Sequence, residues 1–318
     1  VNNIKNRLRA LELRDYVVYL SFFVILIFFA FTLRDRGFLT GDNLMNILRQ
    51  TAMVSVMAVG MTFTITAGEI DLSIGSTVAL AALVAGVVLR TQGIVVAVIA
   101  ALAVGLVVGL INGIITAKVR IPAFLVTLGI SGVISGLART ITNLTAVPIV
   151  NEKFNFIFGS GNIGPISTLF LWTITVALIG HIMLRHLPFG RMVTATGGNR
   201  AAARYSGVRT DNIRIAVLVI SSVTAALAGL LYAGRLHGAR YTLGETDLMT
   251  VIAAVIIGGT SFSGGKGSVI GAIIGSLVMG MLNNGLLLMG LSVSEQMIAR
   301  GIIIVLAVSL SLREELER

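Results

Sequence analysis

Glu69 and Asp71 stand in Thr62-Phe-Thr-Ile-Thr-Ala-Gly-Glu-Ile-Asp-Leu-Ser73, between two long apolar runs. A carboxylate at membrane depth is expensive; it is kept where it lines a cavity, relays a proton or pairs with another group. The same acids suit the start of the next helix, where orphan N–H groups need acceptors and the helix dipole favours negative charge. A helix broken at depth can use them both ways, so Glu69 and Asp71 are candidates for a translocation path as well as for capping. Three amides join them as path candidates: Asn112, Asn283 and its neighbour Asn284. Each can bond hydroxyl groups of a passing solute, or hold two helices together. His181, His186 and His237 are scattered, with no partner at metal-ligand spacing, and the chain has no Cys. No metal site, thiolate nucleophile or disulfide is therefore expected. The run Gly258-Gly-Thr-Ser-Phe-Ser-Gly-Gly-Lys-Gly267 resembles a phosphate loop only superficially. Lys266 is followed by Gly267 rather than Ser or Thr, and no strand precedes the run. It reads as a tight, re-entrant connection, which leaves the chain without an ATP site of its own.

Those groups must be positioned by helices. The 318 residues are 56% hydrophobic and 12% charged, with a mean hydropathy of +0.96, which marks an integral membrane protein. The net charge of +10 would suggest nucleic acid in a soluble chain. Here the basic residues collect in loops, as orientation in a membrane requires, and no nucleic-acid partner is expected. Runs long enough to span the hydrocarbon give ten expected helices, at about 16–33, 50–66, 72–89, 94–117, 123–138, 166–184, 212–233, 247–260, 267–289 and 296–312. With both termini in the cytoplasm, fifteen Lys and Arg fall inside and eight outside, which favours that orientation. Lys5, Arg7, Arg9 and Arg14 precede the first span without a small-residue cleavage site, so residues 1–15 read as a cytoplasmic amphipathic lead-in. Arg139 and Trp172 read as markers of the outer interface.

One segment exceeds what a connection needs. Between Arg185 and Arg214 the chain carries six arginines and a single acid, Asp211. Four or five residues would turn the chain. Positive-inside charge explains the arginines but not the length. Within it, Ala201 to Ala203 favour a short helix.

The two halves of the chain echo one another. Gly68-Glu-Ile-Asp-Leu72 recurs as Gly244-Glu-Thr-Asp-Leu248, and residues 98–112 align without gaps on 269–283, pairing Asn112 with Asn283. An odd number of spans separates the copies, so the expected fold is an all-α bundle of two inverted repeats, with half-repeats near 16–165 and 166–312 in a single domain. Such symmetry is a transporter architecture. A membrane-embedded enzyme finds little support, for want of a nucleophile–base pair.

The chain resembles the permease subunits of bacterial ABC-type monosaccharide importers, of the ribose, xylose and arabinose class. The resemblance covers nearly its full length and rests on Ala67-Gly-Glu-Ile-Asp-Leu-Ser-Ile-Gly-Ser76, Gly197-Gly-Asn-Arg-Ala-Ala-Ala-Arg-Tyr-Ser-Gly-Val208 and Ala253-Ala-Val-Ile-Ile-Gly-Gly-Thr-Ser-Phe-Ser-Gly-Gly-Lys-Gly267. Relatives often carry Gly where this chain has Glu69, which argues against a class-wide sugar-binding role for that acid. The resemblance implies a non-enzymatic subunit of the bacterial inner membrane that pairs with a second permease copy as a homodimer. Its implied partners are a cytoplasmic ATPase that binds ATP and Mg, an extracytoplasmic sugar-binding protein, and lipid. It also implies that Gly198, Asn199, Ala202, Ala203, Ser206 and Gly207 form the coupling segment that meets the ATPase. Two other readings stay open: a secondary transporter using Glu69 and Asp71 as an ion relay, and an importer for a nucleoside or a sugar-like signal molecule.

Overall fold

The computed structural model describes residues 13–316, so most of the lead-in expected over residues 1–15 lies outside the described residues. Thirteen α-helices follow one another among the described residues. Helix α1 (Leu13–Thr32) leads through a turn to α2 (Gly41–Thr66), then come α3 (Ile74–Leu89), α4 (Ile94–Ile114), α5 (Ala123–Thr142) and a single turn, α6 (Glu152–Asn155). The second half holds α7 (Thr168–Arg185), α8 (Pro188–Gly198), α9 (Arg200–Tyr205), α10 (Thr210–Leu236), α11 (Asp247–Ile257), α12 (Val269–Leu288) and α13 (Val293–Leu316). Six described helices are long and apolar enough to cross a membrane: α2, α4 with its π-helical extension to Val119, α5, α7, α10 and α12. Helices α3 and α11, of 16 and 11 residues, are apolar but short. At 1.5 Å per residue they span only about 24 and 17 Å, less than a hydrocarbon core of about 30 Å. Each therefore starts or stops inside the bundle.

The expected boundaries lie close to the observed ones, with one sizeable difference. Helix α2 begins at Gly41 rather than near residue 50, because Thr40 caps it by accepting from the Asn43 N–H while its first turns carry Asp42, Asn43 and Arg49. Polar first turns hide a helix from a hydropathy reading. The long polar segment is also more ordered than a loop: Pro188 opens α8 at its first turn, and α9 follows after one extended residue, Asn199.

Helices α2 and α10 form the centre. Every residue of α2 from Thr51 to Thr66 is buried, the pattern of a helix enclosed on all sides. Helix α4 lies against α10 along Gly105, Gly109 and Gly113, a small-residue stripe at four-residue spacing. A Cβ on Gly105 or Gly113 would stand 2.6 Å from the Ser222 carbonyl oxygen or 2.8 Å from Ile215 Cα, so only glycine allows this approach. The opposite face of α4 exposes Ile99, Leu106, Val107 and Leu110, as a lipid-facing surface does. At one end of the bundle, Val147–Pro148 (β1) pairs antiparallel with Gly238–Ala239 (β4) and ties the segment after α5 to the end of α10. The hairpin Asn162–Ile163 (β2) with Ile166–Ser167 (β3) lies in the same long connection.

The two Gly-Glu-x-Asp-Leu copies occupy similar local settings. Each opens on a glycine in the left-handed region, Gly68 at φ 77° and Gly244 at φ 78°, and each leads into a short helix, α3 or α11. The second copy meets the helix that follows the first: a Cβ on Gly75, in the first turn of α3, would lie 2.6 Å from the Gly244 carbonyl oxygen.

Candidate functional site

The site forms where three glycine-bearing connections converge. Helix α2 ends in a Schellman arrangement, with the Gly68 N–H donating to Ile65 and the Glu69 N–H to Thr64. This turn aims Glu69 at the polar segment of the second half. Its Oε1 accepts from Arg200 Nη2 at 2.5 Å and from Arg214 Nε at 2.5 Å. Glu69 is 5% exposed and the Arg214 side chain 7%, whereas Arg200 is 44% exposed. A buried carboxylate is tolerable only when charged donors surround it, and here one oxygen serves both. Nearby, Arg204 pairs with Asp211 at 3.1 Å in an exposed setting. Glu69 thus meets α9 and the start of α10 rather than capping α3.

Asp71 takes the capping role. Its Oδ1 accepts from the Ser73 N–H at 2.9 Å and from Ser73 Oγ at 2.6 Å, at the start of α3. Asn112 Nδ2 donates to Ser73 Oγ at 2.9 Å, and Ser222 Oγ approaches Asp71 Oδ2 at 3.4 Å. Asp71, Ser73, Asn112 and Ser222 all have fully buried side chains, and this network joins α3 to α4 and α10. Asn112 Oδ1 is the member left without a partner.

Beneath Glu69 the backbones touch. The Gly265 N–H donates to the Thr66 carbonyl at 2.9 Å. A Cβ on Gly264 would lie 2.9 Å from the Gly197 carbonyl oxygen, and one on Gly265 would lie 2.8 Å from Gly198 Cα. The connection after α2, the end of α8 and the α11–α12 connection therefore share one junction, closed by the turn in which Ser261 N–H donates to the Lys266 carbonyl. The tight connection expected for the Gly258–Gly267 run is present.

Helix α9 projects from this junction. Asn199 caps it by accepting from the Ala202 N–H at 2.9 Å. Gly207, at φ 85°, closes it in a second Schellman arrangement, with the Val208 N–H donating to Ala203. Gly198, Asn199, Ala202, Ser206 and Gly207 are exposed, while Ala203 is buried and seats the helix. Tyr205 is 93% exposed, a large aromatic ring standing out from the helix tip. Beside it a cleft of about 770 Å³ is lined by Glu69, Arg120, Phe124, Arg200, Tyr205 and Arg214, among others.

A family model described as "branched-chain amino acid transport system / permease component" matches residues 43–308, which includes every group above. The chain belongs to this permease family. The chain is similar to the ribose import permease protein of Bacillus subtilis (strain 168), with 38% identity over 92% of this chain and 91% of that one. The corresponding protein of Escherichia coli (strain K12) is 40% identical over 86% of each chain. The xylose transport system permease protein of the same strain is 32% identical over 95% of this chain and 92% of its own. No solved structure matches. The protein is thus a multi-pass membrane permease of the ABC importer type, a transport subunit rather than an enzyme.

The remaining path candidates separate. Asn284 is 2% exposed and exchanges reciprocal amide hydrogen bonds with Asn43, at 3.0 and 2.9 Å, fastening α12 to α2. Interhelical bonds of this kind contribute about 0.6 kcal/mol on average, up to about 1.7. Asn284→Leu is expected to lower the thermal unfolding midpoint in detergent slightly and leave uptake within about twofold of wild type, an estimate that follows from that range. Its neighbour Asn283 points elsewhere, into a separate polar chamber with Tyr232, Asp247 and Arg300. No local pattern in the sequence marks Arg214, Tyr205 or Gly197 as a site residue. In the sequence Arg214 is simply the end of a basic segment, and its burial at 6% depends on a partner 145 residues away.

Proposed function

We propose that this permease imports a ribose-like monosaccharide across the bacterial inner membrane, by alternating access driven by a partner ATPase. The observation that carries the reading is similarity over nearly the whole chain to two ribose import permeases. The working unit pairs the chain with a second permease copy, a cytoplasmic ATPase that holds ATP and Mg, and an extracytoplasmic sugar-binding protein. Both termini lie in the cytoplasm, and two inverted halves of about five spans each make the bundle. The matched Gly68 and Gly244 elbows, each leading into a short helix, favour that symmetry.

In this reading α9 is the seat of the ATPase. Ala202 on it and Gly198, Asn199, Ser206 and Gly207 at its two ends offer a narrow, exposed, small-residue surface, Ala203 anchors it, and Tyr205 is a further contact. Movement of α9 would reach the bundle by two rigid routes. One is the Glu69 clamp to the end of α2; the other is the glycine junction with the α11–α12 connection. Glu69 then belongs to coupling rather than to the sugar path, while Asp71 and Asn112 stand at the break between α2 and α3. Rigid elements tied to two helix breaks are suited to opening one side of a bundle at a time.

Reconstitution tests this. Wild-type permease with its ATPase and binding protein should take up D-ribose into vesicles only when ATP is supplied. Uptake driven by a proton or sodium gradient without the ATPase would refute it, and preference for a nucleoside would reassign the cargo. Ala202→Trp, which adds bulk to an exposed face, should abolish stimulation of the ATPase and reduce uptake at least about tenfold, the scale of one lost interfacial anchor. Its unfolding midpoint should not change. Normal uptake in that variant would remove α9 as the docking element.

A further inference from the structure

A second polar site lies far from the α8–α9 junction. Asn283 is fifteen residues along α12 from Ser268, or about 22 Å at the helical rise. It borders a partly open chamber of about 250 Å³ lined by α2, α10, α11, α12 and α13. One water needs roughly 10–15 Å³, so the space admits a small solute.

The lining is unusual for a membrane bundle. Tyr232 Oη donates to Asp247 Oδ2 at 2.6 Å, which leaves Oδ1 of that carboxylate available. Arg235 is held to the α2 backbone by Nη1 donating to the Arg49 carbonyl at 3.0 Å. Arg300 Nε and Thr250 Oγ1 are buried without hydrogen-bond partners, and Thr250 is 3% exposed. Among the described residues, neither Arg235 nor Arg300 forms an ion pair with Asp247. Two interhelical bonds fix Asp247 and Arg235, and beside them the carboxylate kept apart from the guanidinium groups and the two orphaned donors leave a set of interactions unfilled. Buried polar groups without partners cost free energy that a bound ligand can recover.

We propose that this chamber is a binding site for one neutral polyol of monosaccharide size within each permease chain; the inference rests on the sugar-importer reading. A hydroxyl group both donates and accepts. Vicinal hydroxyls can donate to Asp247 Oδ1 while accepting from Arg300 and Asn283, and Thr250 can serve either way. A carboxylate would satisfy the arginines but has no proton for Asp247, and a phosphate, although it keeps a hydroxyl at neutral pH, carries a negative charge that Asp247 repels. A cation faces two guanidinium groups. Of these classes, only an uncharged polyol answers the donors and the acceptor together without setting like charges side by side.

The test uses the permease–ATPase complex in lipid nanodiscs, with labelled D-ribose as the probe and inorganic phosphate as competitor. Wild type should retain ribose, and phosphate should not displace it. Thr250→Val is nearly isosteric and removes a hydroxyl with no partner to lose, so its unfolding midpoint should hold while ribose affinity falls about fivefold, the equivalent of one hydrogen bond. Asn283→Leu should weaken ribose at least as much, and Thr175→Val on the exposed face of α7 should change nothing. ATP-driven ribose uptake, measured in parallel with the binding protein present, separates two failures. Uptake by wild type without chamber binding, or unchanged affinity in both chamber variants, overturns the site and leaves the importer reading intact. Displacement by phosphate overturns the polyol assignment. Absence of any ATP-driven ribose uptake by wild type overturns the importer reading and this site with it.

Discussion

Replacing Glu69 by alanine should destabilise the permease by about 3 kcal/mol and abolish uptake, because it strands a buried arginine. Loss of one partner from a buried pair costs about 3–5 kcal/mol, mainly through the charge left behind. Arg214, at 7% exposure, cannot reach solvent to recover that loss, whereas Arg200, at 44%, largely can. The low end of the range therefore applies, and the two arginines should differ when mutated singly. Arg200→Ala should cost no more than about 1 kcal/mol, as for a screened surface pair. Arg214→Ala should approach the cost of Glu69→Ala, since it leaves the carboxylate short of its buried donor. The double variant Glu69→Leu with Arg214→Leu removes both buried charges and should regain much of the thermal stability without regaining uptake. Unfolding midpoints in detergent and ATP-driven uptake in vesicles would be read together. Wild-type stability and uptake in Glu69→Ala would show that the clamp is incidental.

Legibility in the sequence followed the range of the signal. Helix α4 is read almost to the residue because its apolar run is continuous and ends where Lys118 and Arg120 begin. The start of α2 is not legible in hydropathy, because capping and packing extend the helix to Gly41. Capping of α3 by Asp71 was open to derivation, since an acid two residues before Ser73 has a local partner. The Glu69 clamp was not. Nothing within ten residues of Glu69 reveals Arg200 and Arg214, which arrive only when α10 packs against α2 and α4. The same limit hid the difference between Asn283 and Asn284. Adjacent residues on a helix face about 100° apart, and only the neighbours decide that one bonds Asn43 while the other borders a chamber.

The second large effect concerns a pair of adjacent glycines that the sequence treats alike. A methyl group at Gly197 would be driven into the Thr66 carbonyl oxygen and stand 2.8 Å from the Gly265 nitrogen. Those two atoms are hydrogen-bonded to each other at 2.9 Å, so the methyl would have to part the backbone contact that joins the end of α2 to the α11–α12 connection. Backbone cannot swing aside as a long side chain can. Overpacking of this kind costs about 1–3 kcal/mol, and relief requires α8 and α9 to lift from the junction. At Gly198 the nearest atom to an added Cβ is Gly265 Cα at 3.7 Å, an ordinary contact, and the residue is exposed. Gly197→Ala is therefore expected to lower the unfolding midpoint and cut ribose uptake at least about tenfold, the factor that about 1.4 kcal/mol represents. Gly198→Ala should leave the midpoint unchanged and uptake within about twofold, since its contact adds no strain. The comparison separates a junction that transmits movement from a surface that merely receives the ATPase. Equal and mild effects at both positions would mean that the glycine contact between these connections has no part in coupling.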